Sequence, residues 1–180
     1  MTQTAMTGTA PTVAPIRATV HRLGDEVSTD IHCSAKYNMG KSVQWLAEHA
    51  FEQLQPGFAQ RIEAGDVIVA GKDFGINSSR EQAVHVLRAM GVSAVIAQSF
   101  GRQFYRNAIN NGLPIAECDV SAIHDGDLIE VDVAAGRIAV PATGFSAAVP
   151  KLPPAVLALI AAGGLLPFLK QHPDWALPTA

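Results

Sequence analysis

Charge and cysteine are both scarce in this 180-residue sequence. Only 16% of residues are charged, and 13 Lys and Arg against 16 Asp and Glu leave a formal net charge of -3. That balance argues against nonspecific affinity for nucleic-acid phosphates or anionic membranes. The two cysteines, Cys33 and Cys118, cannot make a disulfide framework, and neither sits in a Cys-x-x-Cys pair or Cys/His cluster able to cage a metal. The six histidines show no ligand spacing, so no metal site is expected within this chain, and a reducing, cytoplasmic setting is expected. Residues 1–15 lack any charged side chain and lack the basic start and continuous apolar stretch of a secretory signal. This Thr/Ala/Pro-rich stretch reads as a flexible tail before one domain over residues 16–180. The most apolar stretch, residues 147–169, is broken by Lys151, Pro153, Pro154, Gly163, Gly164 and Pro167. It falls short of the ~20 uninterrupted apolar residues of a membrane span.

What is present is a 48% hydrophobic chain, long enough to bury a core. Residues 16–23 alternate and are rich in β-branched side chains, which predicts a strand followed by a polar loop reaching Asn38. Val43, Leu46, Ala47, Ala50, Phe51 and Leu54 fall on one helical face, and Pro56-Gly57 closes it. Residues 67–70 and 94–97 are short, wholly apolar runs of the kind buried on both sheet faces. Between them Ala83, Val86, Leu87 and Met90 keep helical spacing up to Gly91, which completes a βαβ unit. A further helix around residues 100–109, a strand at 113–118, a hairpin with arms 128–133 and 137–140, and a C-terminal helix at 153–162 follow. The expected class is mixed α/β.

One handover from buried strand to helix carries the most chemistry: Ala70-Gly71-Lys72-Asp73-Phe74-Gly75-Ile76-Asn77-Ser78-Ser79-Arg80-Glu81. Open α/β sheets place ligands at this edge. Ser78 through Glu81 match a capping box, which predicts a helix starting at Ser78 with Glu81 reaching back to it. Free N–H groups there, with the guanidinium fork of Arg80, suit a small carboxylic acid, although capping boxes also serve many helices with no ligand. A second segment, Gly24 to Cys33, contains Asp30, which could orient a hydroxyl or accept a proton, although Asp in a turn is usually only an Asx-turn residue. Residues 99–112 read mostly as a solvated polar face over core aromatics. Gly40-Lys41-Ser42 imitates the end of a phosphate loop, but Ala35 stands where that pattern needs Gly.

Taken together, Asp25 through Asp30, Asp66 through Gly75, Ser78-Ser79-Arg80-Glu81 and Ser99 through Pro114 closely resemble the small subunit of 3-isopropylmalate dehydratases, the swivelling-domain part of the aconitase superfamily. The resemblance runs in order from about Val20 to Val140. It implies an α/β fold, a single swivelling β/β/α domain of the aconitase C-terminal type. It implies a partner: family members work with a large subunit that holds a [4Fe-4S] cluster through three cysteines, and the small subunit supplies no cluster ligand. Carried over by motif, Ser78 is implied as the base that removes a proton beside a carboxylate, Ser79 and Arg80 as carboxylate binders, and Asp30 as a catalytic support. The loop carrying Lys36 and Tyr37 is implied to sort the substrate's variable group.

The sequence departs from many relatives in reading Gly75-Ile76-Asn77 before the Ser-Ser-Arg-Glu motif, in having Gln82 where His is frequent, and in reading Lys36-Tyr37-Asn38 in the substrate loop. The expected activity is isomerisation of a hydroxy dicarboxylate by dehydration and rehydration, with isopropylmalate leading and homoaconitate, citramalate or dimethylmalate as alternatives. A reading of another class is a non-catalytic carboxylate-binding or regulatory module.

Overall fold

The computed structural model describes residues 13–33, 40–77 and 79–174. The expected tail falls mostly outside these. Among the described residues seven strands form one mixed sheet in the order β4-β3-β2-β1-β5-β6-β7. Its parallel half comprises β1 (Ile16–Arg22), β2 (Val67–Ala70), β3 (Ala94–Ala97) and β4 (Ile115–Glu117). The antiparallel half adds β5 (Leu128–Asp132), β6 (Arg137–Val140) and β7 (Phe145–Ala148) across the other side of β1.

The two wholly apolar runs are the centre of the parallel half. Every residue of β2 and β3 is buried, as strands covered on both faces require. Alternation along them splits the core in two. Ile68, Ala70, Val95 and Ala97 face a helical layer, whereas Val67, Val69, Ala94 and Ile96 share the opposite face with Val20, Ile129, Val131, Ile138 and Val140.

The helices among the described residues are α1 (Thr29–His32), α2 (Val43–Glu48), α3 (Phe58–Arg61), α4 (Gln82–Ala89), α5 (Arg102–Asn110), α6 (Pro154–Ala161) and α7 (Leu165–Gln171). No single one is long and apolar enough to cross a membrane. Two expectations need correction. The helix expected through Leu54 ends at Glu48, because the chain turns at Phe51 with φ +62° and the His49 ring takes up the Trp45 carbonyl at 2.8 Å. The helix expected to begin at Ser78 begins at Gln82, with Glu81 in the N-cap position and no side-chain cap bond. The Glu81 carboxylate lies 4.0 Å from His85 one turn onward.

The strand order also explains one buried polar pair. His21 on β1 and Asp66 just before β2 meet at 2.7 Å between the two strands, and Asp66 also accepts the backbone N–H groups of Thr19 and Glu63. Burial pushes the Asp66 carboxyl up, but the hydrogen bonds from His21, Glu63 and Thr19 outweigh it and hold it below the usual carboxylate value.

Candidate active site

The loops leaving β1, β2 and β3 converge at one edge of the parallel half, outside the carboxyl ends of the strands. Backbone bonds lace the first two together: Gly71 N–H to Gly24, Glu26 N–H to Lys72, and Gly75 N–H to Val27, at 3.0, 2.7 and 2.8 Å. Asp25 accepts the Lys72 N–H at 2.8 Å, and a Cβ on Gly71 would displace that carboxylate from its place. The third loop is tied in by Ser99, whose hydroxyl accepts the Asp73 N–H at 2.8 Å and donates to the Asp73 carboxylate at 3.1 Å. Gly101 N–H donates to Phe74, and Gly75 at φ +80° lies so close to Phe104 that a side chain there would collide with the buried ring.

This lacing brings together two residues nominated from sequence, fifty positions apart. Asp30, on the second residue of the one-turn helix α1, is buried, and its Oδ1 lies 3.6 Å from Nε of Arg80 in the turn before α4. The Arg80 side chain remains 45% exposed. A buried carboxylate thus holds one edge of a guanidinium whose remainder is accessible, an arrangement suited to bidentate capture of an incoming carboxylate. Ser79 is exposed beside it, its carbonyl accepting from Asn107 at 3.4 Å. The Asn77 backbone, at φ +57°, leads into this turn. Ser78, Lys36 and Tyr37 lie outside the described residues.

Sequence reasoning missed the supports. The Ser99 and Asp73 latch, the collision-limited glycines and the contact of Phe51 with the end of α1 carry no local signature beyond the positions themselves. Ser28 and Thr29, which open α1, bury their hydroxyl oxygens with no hydrogen-bond partner among the described residues. Burial lowers the pKa of His32 at the far end of α1, so its imidazole favours the neutral form.

The two cysteines do not converge. Cys33 is buried in the core under the helical layer, whereas Cys118 packs on the opposite face of the sheet. Burial pushes the Cys33 thiol well up, and burial with the neighbouring Asp119 charge pushes Cys118 up to about 11. Among the described residues no three His, Cys, Asp or Glu side chains form a metal-holding group. The residues present therefore do not fit an iron–sulfur cluster.

Residues 30–117, which span this edge from Asp30 to the end of β4, match the family model of the aconitase C-terminal domain. The chain is 45% identical over 157 residues to a 3-isopropylmalate dehydratase small subunit of Halothermothrix orenii, covering 86% of this chain and 95% of that protein. It is 44% identical over 160 residues to a 3-isopropylmalate dehydratase small subunit of Sulfolobus acidocaldarius, covering 87% and 98%. A crystal structure of 3-isopropylmalate dehydratase from Methanocaldococcus jannaschii superposes with a TM-score of 0.82 at 37% identity, covering 89% of this chain and 96% of that one. With the sheet, the edge and the pairing of Asp30 with Arg80 all in place, the chain belongs to the 3-isopropylmalate dehydratase small-subunit family and has the aconitase C-terminal fold.

Proposed function

We propose that this chain is the small subunit of a 3-isopropylmalate dehydratase, a hydro-lyase that isomerises its hydroxy dicarboxylate by removing and re-adding water, active only with a large subunit. The observation that carries the reading is the buried Asp30 against the half-exposed Arg80 at the sheet edge. Membership of an aconitase-type family implies an iron–sulfur enzyme. We assign the [4Fe-4S] cluster to the large subunit, a reading that the separation of Cys33 and Cys118 on opposite faces of the sheet supports.

The chain's own contribution is binding and proton transfer. Arg80, fixed at Nε by Asp30, offers the rest of its fork to a substrate carboxylate, and Ser79 adds a hydroxyl to the same group. Ser78 takes the proton from the carbon beside that carboxylate. Serine is a weak base, so its alkoxide needs the Arg80 charge and backbone N–H groups nearby to form. Asp30 keeps Arg80 aimed and offsets part of its charge. Lys36 and Tyr37, on the segment between α1 and α2, are assigned to the substrate's variable group.

The test is reconstitution with the iron–sulfur large subunit and comparison of kcat/KM across isopropylmalate, citramalate, dimethylmalate and homoaconitate. Isopropylmalate is expected to lead. A preference for homoaconitate that Lys36→Ala abolishes would show that Lys36 reads a third carboxylate and would overturn the substrate assignment. Carboxylate binding with no turnover by any reconstituted pair would favour the non-catalytic module.

A further inference from the structure

The helix that presents Asp30 is poorly equipped to hold itself. α1 is a single turn of four residues, and one turn fixes several backbone dihedrals for few hydrogen bonds. Its N-cap Ser28 makes no side-chain cap bond, and both Ser28 and Thr29 bury hydroxyl oxygens that find no partner among the described residues. Support comes from outside. Gly75, on the loop leading to Arg80, donates its N–H to Val27 just before α1. At the other end, Phe51 donates its N–H to the His32 carbonyl at 3.2 Å, one of the carbonyls a helix end leaves unsatisfied.

Phe51 makes that contact from an uncommon conformation. It is fully buried at φ +62°, an outlier for a bulky side chain. Its ring stacks on His32 at 6.1 Å and 27° and meets Phe58 edge-on at 5.1 Å. Its carbonyl accepts the N–H groups of Leu54 and Gln55 at 2.9 and 2.8 Å, which closes the turn. The apolar spacing from Val43 to Leu54 suits a continuous helix, yet the chain leaves helical geometry before Phe51, and the same residue delivers both an N–H and a ring to the end of α1. Strain that persists against a local helical preference, in contact with a site element, points to a positional requirement.

We infer that Phe51 is a positioning residue for the dehydratase reaction: its left-handed backbone and stacked ring hold α1 so that Asp30 stays against Arg80. The inference rests on the assignment of Asp30 and Arg80 above. Phe51 touches no substrate; it acts through α1.

A double-mutant cycle in the reconstituted pair tests this. Phe51→Leu keeps a buried apolar side chain and loses the ring, and kcat/KM for isopropylmalate is expected to fall roughly tenfold, a coupling typical of residues in one network. In an Asp30→Asn background the same substitution is expected to change kcat/KM less than twofold, because the contact it serves is already gone. Equal losses in both backgrounds, or no loss from Phe51→Leu alone, would overturn the inference while leaving the site assignment standing. No loss from Asp30→Asn itself would overturn the site assignment and this inference with it. If Phe51→Leu does not fold, Phe51→Met, whose longer and flexible thioether adapts to the ring's space, takes its place in the cycle, and the same losses support or overturn the inference.

Discussion

The two halves of the sheet share a core and differ in where they hold strain. Among the described residues of the parallel half, four non-glycine residues adopt positive φ: Glu26 and Asp73 on the laced loops, Asn77 before Arg80, and Phe51 against α1. Among the described residues of the antiparallel half, over β5, β6 and β7 and their turns, positive φ falls only on Gly126, Gly136 and Gly144, which adopt it without side-chain conflict. Among its described residues the antiparallel half keeps every non-glycine residue out of the left-handed region. The parallel half departs from that pattern around Asp30 and Arg80, as expected where a site is held in a geometry the chain would not choose alone.

The sharpest contrast between the halves is chemical. Ser78→Ala is expected to lower kcat of the reconstituted pair by about 10²–10⁴-fold, the range for loss of a positioned proton acceptor, with little change in melting temperature. Near-normal kcat would move the base role to another residue, Ser79 first.

Next in size is a paired glycine test. Gly75→Ala combines a positive φ with collision against the buried Phe104 ring, and is expected to cost roughly 2–5 kcal/mol and most of the activity. Gly144→Ala has a similar φ of +71° but open space around it, and is expected to cost about 1–2 kcal/mol with activity intact. Denaturant midpoints and kcat of the two variants check both; equal penalties would erase the contrast between the halves.

The smallest expected effect concerns the seam between β1 and β2. Because the folded state lowers the Asp66 carboxyl below its ordinary value, the pair contributes stability above that value and loses it as pH falls through the lowered one. Asp66→Asn is therefore expected to reduce stability at neutral pH and to flatten the loss of stability below about pH 4, read from melting temperatures across a pH series. An acid limb as steep as in the parent would show that other carboxylates govern it.

How much of this was legible before folding depends on how local each signal is. β2 and β3 were readable to the residue, since four apolar residues between turn signals on each side leave little else to be. The hairpin of β5 and β6 was readable from Ala134-Ala135-Gly136. β7 was not anticipated, because Phe-Ser-Ala-Ala on an exposed edge carries little hydrophobic pattern. α1, α3 and α7 are short elements fixed by what they pack on, and α2 stops early because Phe51 answers to His32 and Phe58 and not to its own helix face.

At the site, Asp30 and Arg80 could each be nominated from motif, but their pairing is a long-range fact delivered by the lacing of two loops. The helix start expected at Ser78 is displaced for a related reason: helical order in α4 begins at Gln82, after the turn that presents Arg80 to Asp30, and Ser78 itself lies outside the described residues.

Everything proposed for the site turns on Arg80, aimed by Asp30, receiving the substrate carboxylate. The direct test is kcat/KM for isopropylmalate of the pair reconstituted with Arg80→Lys, measured beside its melting temperature. An ammonium cannot reproduce a planar fork, so a loss of about 2 kcal/mol, near 30-fold, is expected with folding and assembly unchanged. An unchanged kcat/KM would contradict the claim and leave Arg80 as a surface side chain of the turn before α4.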